Sequence, residues 1–370
     1  MLHIENHNGT LQSLVNKVQE QDNRSADFLW STNNLQKITT DEGKPQIVLE
    51  AFKGQPTRFL NVNEHAFGQI AQHLEIDTRT ARRLQNEVPT EFDAVTNALF
   101  QKNSTNRMIR TFLDESEISG IMRAFVSDKF KTFDNIHLLK AILEPLNNSE
   151  AMLKIVNGTV TDKRLYIRFK SEVQTGEAVK GDLMANGLGL SNSEVGAGSV
   201  QVYQLFWTLA CENGMQTENR NRSSHITSAR DSADYGLLSG EAKDADNRAL
   251  GLKLRDLVKA YISRELFDEV LDKMRAAHSD VIEGDFHEIP ERVGTVLKLT
   301  KKENTDILNG LMATIGQAGF EHGKPITRAT MVNAVTAVAN NCDADDVDMW
   351  QQRGGKLLNL NDRDWNRIAA

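Results

Sequence analysis

The side chains best suited to chemistry in this sequence are the basic and aromatic ones of its middle third. Arg107, Arg110, Arg123, Arg164, Arg168 and Lys170 fall in or beside strand-like stretches, with Phe125, Phe130 and Tyr166 interleaved. Lys129 and Lys131 occupy the turn that follows one of these strands, and Arg220, Arg222 and Arg230 lie in a later polar run. Cations beside π-faces suit a single nucleic-acid strand, because they neutralise phosphates while each stacked base adds about 1–3 kcal/mol. The competing reading is a solvated sheet face balanced by Asp114, Glu115, Glu117 and Asp128.

Other chemistries find less to work with. The glycine-bearing run SNSEVGAGS at 191–199 could present backbone amides to an anion. It matches neither GxxxxGK[ST] nor a dinucleotide fingerprint, since a strand pattern follows where a helix N-terminus would have to meet the pyrophosphate. His65 and His73 could share a helix face, yet no carboxylate completes a metal site and HExxH is absent. The acidic run at 343–348 lacks the glycine and glutamate of a calcium loop and suits the first turn of a helix. Ser224 and His225 are neighbours without a nucleophile elbow, and Cys211 has no local signature. No catalytic residue, metal or cofactor is therefore assigned.

Composition sets the frame. A chain of 370 residues with 39% hydrophobic and 25% charged residues is an ordinary globular sequence, long enough for more than one core. Its formal net charge of −8 argues against coating duplex DNA by bulk electrostatics. Residues 101–230 are the one third in which basic residues outnumber acidic ones, so a polyanion is expected to meet the chain there. No apolar run reaches the roughly 18–20 residues of a spanning helix, and the N-terminus lacks the basic and apolar regions of a signal peptide. No membrane association and a cytoplasmic location are expected. Cys211 and Cys342 are far apart and support neither a disulfide framework nor a zinc cage.

The elements that must position the basic residues follow from periodicity. Leu11, Leu14, Val15 and Val18 predict a short amphipathic helix, and a strand is expected at 46–52. Asn63 and Asp77 or Thr78 are candidate caps for two short helices, the second carrying Arg79, Arg82 and Arg83. That pair has the outline of a DNA-reading helix-turn-helix, although a structural helical hairpin gives the same pattern. Alternation predicts one hairpin over 107–126 and another over 151–170, separated by a helix that stops at Pro145. In the strand 164–170, Leu165, Ile167 and Phe169 share one face; Arg164, Tyr166, Arg168 and Lys170 share the other. Strands at 182–190 and 200–211 flank the glycine run, residues 213–236 form an exposed loop, a single long helix spans 241–278, and shorter helices follow.

Several stretches carry a resemblance. AFGQIAQHLEI at 66–76, FVSDKFKTFDN at 125–135, SNSEVGAGSV at 191–200, CENGM at 211–215, ITRATMVNAVTAVANN at 326–341 and RGGKLLNL at 353–360 occur in this order. Together they resemble the phage/plasmid-like proteins grouped as domain of unknown function 932. The resemblance implies an α+β domain and residence on a mobile element in a bacterial host. The order hairpin, helix, hairpin, hairpin is also compatible with phage annealing proteins, whose curved antiparallel sheet and helix carry DNA along a basic groove.

The expectation is an α+β protein with an antiparallel sheet core, packed helices and a helical C-terminal region. Its divisions are an N-terminal arm and strand over 1–60, a core domain over 61–236 and helices over 237–370. The leading function is non-catalytic binding of single-stranded nucleic acid in replication or recombination, in an annealing-like role and as a homo-oligomer. The alternatives are an interaction module for a phage or host protein, motivated by the acidic surface, and a nucleotide- or phosphoester-processing enzyme.

Overall fold

The computed structural model describes residues 5–7, 11–52, 54–102, 104–209, 213–216, 224–226, 239–316 and 325–370. The fold is α+β, with antiparallel-dominated sheets and a helical C-terminal region. The chain opens with β1 (Glu5–His7) and α1 (Leu11–Arg24). An N-terminal sheet follows, made of β2 (Ser25–Ser31), β3 (Leu35–Thr39), β4 (Pro45–Leu49), β5 (Arg58–Val62), β6 (Asn106–Leu113) and β7 (Ser119–Ser127). Their spatial order is β2-β6-β7-β5-β4-β3, and only the β5–β7 pairing among them is parallel.

Between β5 and β6 run α2 (Glu64–His73), α3 (Thr78–Glu87) and α4 (Pro89–Lys102). Asn63 and Asp77 cap the first two, accepting from the Ala66 and Thr80 amides at 2.8 and 3.0 Å. Each such cap contributes about 1 kcal/mol. One sheet face buries Trp30, Ile47, Leu60, Ile109, Met122 and Phe125 against Ile70 of α2 and Phe100 of α4. Because β2 pairs with β6, strands from both sides of residue 60 belong to one sheet.

After α5 (Asn135–Asn147) comes the central sheet: β8 (Leu153–Val160), β9 (Leu165–Glu177), β10 (Leu183–Asn192), β11 (Val200–Thr208), β12 (Asn213–Gln216) and β13 (Ser224–Ile226). The path is β1-β8-β9-β10-β11-β12, with β13 also on β11. The expected apolar face is there. Leu165, Ile167, Phe169, Leu188, Leu190 and Val202 pack on Leu14 of α1, Leu138 and Ile142 of α5, and Leu254 and Val258 of α6 (Gly240–Tyr261).

The single helix expected over 241–278 is two. α6 ends at Tyr261, and Ser263 caps α7 (Arg264–Ala277) by accepting from the Leu266 amide at 3.4 Å. Apolar periodicity runs across the break, so only the Ser-Arg-Glu-Leu sequence signals it. The C-terminal bundle continues with α8 (Glu288–Leu297), α9 (Lys301–Ile315), α10 (Arg328–Ala337), α11 (Ala344–Leu358) and α12 (Asp362–Ala369). α10 is buried from Ala329 to Ala337, and its neighbours include Phe267, Leu311, Trp350 and Leu357. The bundle reaches the central sheet through Met184, Phe206 and Met215.

No helix among the described residues is long and apolar enough to cross a membrane.

Candidate functional site

The connection between β10 and β11, residues 193–199, lies as a strap across the outer face of the N-terminal sheet. Val195 is buried with Ala124 and Val126, with Phe130 packed against them. Its carbonyl accepts from Gln69 Nε2 at 2.7 Å and from His65 Nε2 at 3.0 Å, which leaves the His65 lone pair on Nδ1. Ser193 Oγ donates to the Lys163 carbonyl at 2.8 Å and accepts from the Ala197 amide at 2.8 Å. Gly198, at φ +154°, passes so close to Arg164 that a Cβ there would lie 1.3 Å from Nη2. Arg164 in turn donates to the Ala197 carbonyl at 2.8 Å. Serine and glycine in this run are thus explained by the strap's own geometry.

Glu194 is the strap's anchor. Its carboxylate pairs with Arg123 and accepts from the Asn135 amide, at the start of α5, at 2.7 Å. Its carbonyl accepts from Arg110 Nη1 at 2.7 Å. Arg110 is 1% exposed and also donates to Asp27 at 2.9 Å and Asp134 at 2.6 Å. Burial opposes its charge, but the two carboxylates outweigh that and its pKa stands above the ordinary arginine value. Arg123 is 7% exposed and lies over the Phe112 ring, 3.8 Å from its centroid.

Phe125 is buried against His73 and Phe100, at centroid distances of 5.3 and 6.1 Å. Arg107 lies 5.5 Å from the Phe125 centroid and donates to His73 Nδ1. Burial first, and the Arg107 charge second, lower the His73 pKa to about 4. Lys129 is exposed, and Lys131 pairs with Asp246 of α6 at 3.0 Å.

On the central sheet the face expected to be basic and open is covered by α11. Arg168, 3% exposed, pairs with Asp348, which also accepts from the Tyr203 hydroxyl at 2.8 Å. Tyr166 donates to Asp345 at 2.9 Å. Desolvation, reinforced by Asp345 and Asp348 respectively, raises the pKa of Tyr166 and Tyr203, so both remain protonated donors. Gly189 lets the Tyr203 ring fold over β10, since a Cβ there would come within 1.9 Å of it. Lys170 is half-buried.

The arginines proposed from alternation therefore divide. Arg110, Arg123, Phe125, Tyr166 and Arg168 are interior groups held by internal partners, not a solvent-facing array. The physical reason is coverage: α2 and α4 close over Phe125, the strap over Arg110 and Arg123, and α11 over Tyr166 and Arg168, and none of these is visible in strand periodicity. Arg220, Arg222 and Arg230 lie outside the described residues. Among the described residues, Lys129, Lys163 and the α3 arginines Arg79, Arg82 and Arg83 are exposed cations.

Of these, Arg82 and Lys163 border a cleft of about 840 Å³ between α2, the start of α3 and the β8–β9 turn. Glu64, His65, Gln69, Gln72, Asp77, Thr78 and Arg82 line one side and Lys163 the other. Arg82 pairs with Glu64 at 2.8 Å while half exposed, and Lys163 stands 3.7 Å from Asp345. Burial lowers the His65 pKa against the opposing pull of its Val195 hydrogen bond, which favours the neutral ring. Desolvation raises the pKa of nearby Asp162. Sequence reading singled out none of His65, Gln69, Glu194 or Lys163 as binding residues. Gln69 and Glu194 lie inside the stretches 66–76 and 191–200, yet their roles depend on partners dozens of residues away.

Among the described residues no group of three or more His, Cys, Asp or Glu side chains could hold a metal ion. No family model, curated protein or solved structure matches the chain.

Proposed function

We propose that the protein binds single-stranded nucleic acid without catalysis, along the cleft between α2–α3 and the strap. The observation that supports this most is the cleft itself: open, with Arg82 on one wall and Lys163 on the other, beside Glu64 and Asp77. Arg79 and Arg83 are exposed on the same helix as Arg82, Arg83 standing 3.9 Å from Glu87, and Lys129 is a cation in the turn just before Phe130, which packs on the strap. Arg82 and Lys163 are half-exposed and exchange Glu64 and Asp345 for phosphate at little desolvation cost, whereas Arg110 and Arg168 would have to abandon carboxylates in the interior. A phage- or plasmid-borne role in replication or recombination, in a bacterial cytoplasm and as a homo-oligomer, accords with the resemblance.

Fluorescence anisotropy with a labelled oligonucleotide tests the reading. The double variant R82A/K163A is expected to bind more weakly at low salt, with the log–log salt slope reduced by about 1.4, from about 0.7 per lost phosphate contact. Unchanged affinity and slope would overturn it.

A second reading, binding of a phage or host protein, draws on the N-terminal sheet. Phe59 and Ile118 are 42% and 47% exposed and adjacent, the Phe59 amide donating to the Ile118 carbonyl at 2.9 Å. If that reading holds, F59S should abolish capture of a protein partner while leaving oligonucleotide binding intact.

A further inference from the structure

The carboxylate of Glu194 occupies a seat with the chemistry of an oxyanion site. Arg123 donates to one oxygen and the Asn135 amide, at the N-terminus of the thirteen-residue α5, donates to the other at 2.7 Å. A guanidinium and a helix N-terminus converging on one anion is the arrangement that favours phosphate. The seat is buried, with Arg123 7% and Glu194 9% exposed. Arg123 Nη1 is buried there with no hydrogen-bond partner, so the guanidinium retains donor capacity that the carboxylate does not fill.

Charge is balanced pair by pair. Arg110 keeps Asp27 and Asp134 whatever the strap does, and it holds Glu194 only by the carbonyl. The ion pair of Arg123 is with Glu194, so lifting the strap leaves a buried cation and an open helix N-terminus that an external anion must satisfy. Gly196, at φ +80°, and Gly198, at φ +154°, give the segment just beyond Glu194 backbone freedom that other residues lack.

We infer that the seat of Glu194 is a phosphate site plugged by the protein's own strap, and that a phosphate group of the bound strand replaces the Glu194 carboxylate when the strap lifts. The identity of the strand rests on the nucleic-acid reading; the seat's preference for phosphate does not. As an internal competitor, Glu194 lowers apparent affinity by the fraction of molecules in which the seat is filled.

Thermal unfolding of E194A in sodium phosphate and in sodium chloride at matched ionic strength isolates the seat. E194A should be destabilised in chloride and gain a saturable rise in Tm with phosphate that the wild type lacks. Equal responses of E194A to the two salts, or of the two proteins to phosphate, would overturn the inference. Hydrogen exchange of wild-type residues 193–199 provides a measurement that needs no variant: an oligonucleotide should accelerate exchange there. Oligonucleotide binding with the strap equally or better protected sinks the plug while leaving the proposed function standing. Loss of oligonucleotide binding altogether, with the phosphate response of E194A intact, removes the function and leaves the seat.

Discussion

Both sheets bury arginines on the face that strand alternation would turn toward a ligand, but they neutralise them differently. Arg110 in the N-terminal sheet engages Asp27, Asp134 and a carbonyl through three separate nitrogens. Arg168 in the central sheet has Asp348, and its Nε is buried without a hydrogen-bond partner. The first site is redundant and survives the loss of one acid; the second hangs on a single carboxylate supplied by the C-terminal bundle. A buried cation is thus a weak guide to ligand binding until its partners are counted.

The largest effect should come from breaking the single-carboxylate site. D348A leaves Arg168 charged and uncompensated and the Tyr203 hydroxyl without its acceptor, a loss of about 3–5 kcal/mol in urea unfolding. The double replacement R168M/D348L should recover most of that, because the desolvation cost vanishes with the charges. D27A is expected to cost less, about 1–3 kcal/mol, since Asp134 still faces Arg110. Equal losses in D348A and D27A would abolish the distinction between the sheets.

A smaller effect concerns pH and belongs to the N-terminal sheet. The His73 pKa falls from 6.5 to about 4 in the folded state, so between those values the unfolded chain binds the extra proton. The stabilisation is complete above pH 6.5 and lost progressively as pH falls toward 4. H73Q should flatten the dependence of stability on pH across that window, measured by denaturant midpoints at successive pH values. An unchanged profile in H73Q would assign the acid sensitivity to other groups.

Local pattern carried much of this fold and little of the site. Alternation in Arg164–Lys170 places a strand there, and its Leu165, Ile167 and Phe169 face is the core. The opposite face has the same alternation whether water or a helix covers it, and the cover, Asp345 and Asp348 one turn apart on α11, arrives 179 and 180 residues later. Of the acidic run, Asp345 and Asp346 fall in the first turn of α11 and Asp348 beyond it, and Asp345 and Asp348 also serve as partners for the sheet. Glu194 sits in plain view among glycines and serines, but its pairing with Arg123 spans 71 residues. Ser263 shows the reverse case: a short-range cap that unbroken apolar periodicity masked.

The span between Arg168 and Asp348 also sets a clock. At about 5–20 residues per second, a ribosome needs roughly 10–40 seconds to deliver the carboxylate after the guanidinium has been made. During that interval the central sheet can assemble its α5 and α6 side while Arg168, Tyr166 and Tyr203 await α11. Nascent chains stalled before residue 344 should therefore present a cationic, aromatic surface that the finished protein hides.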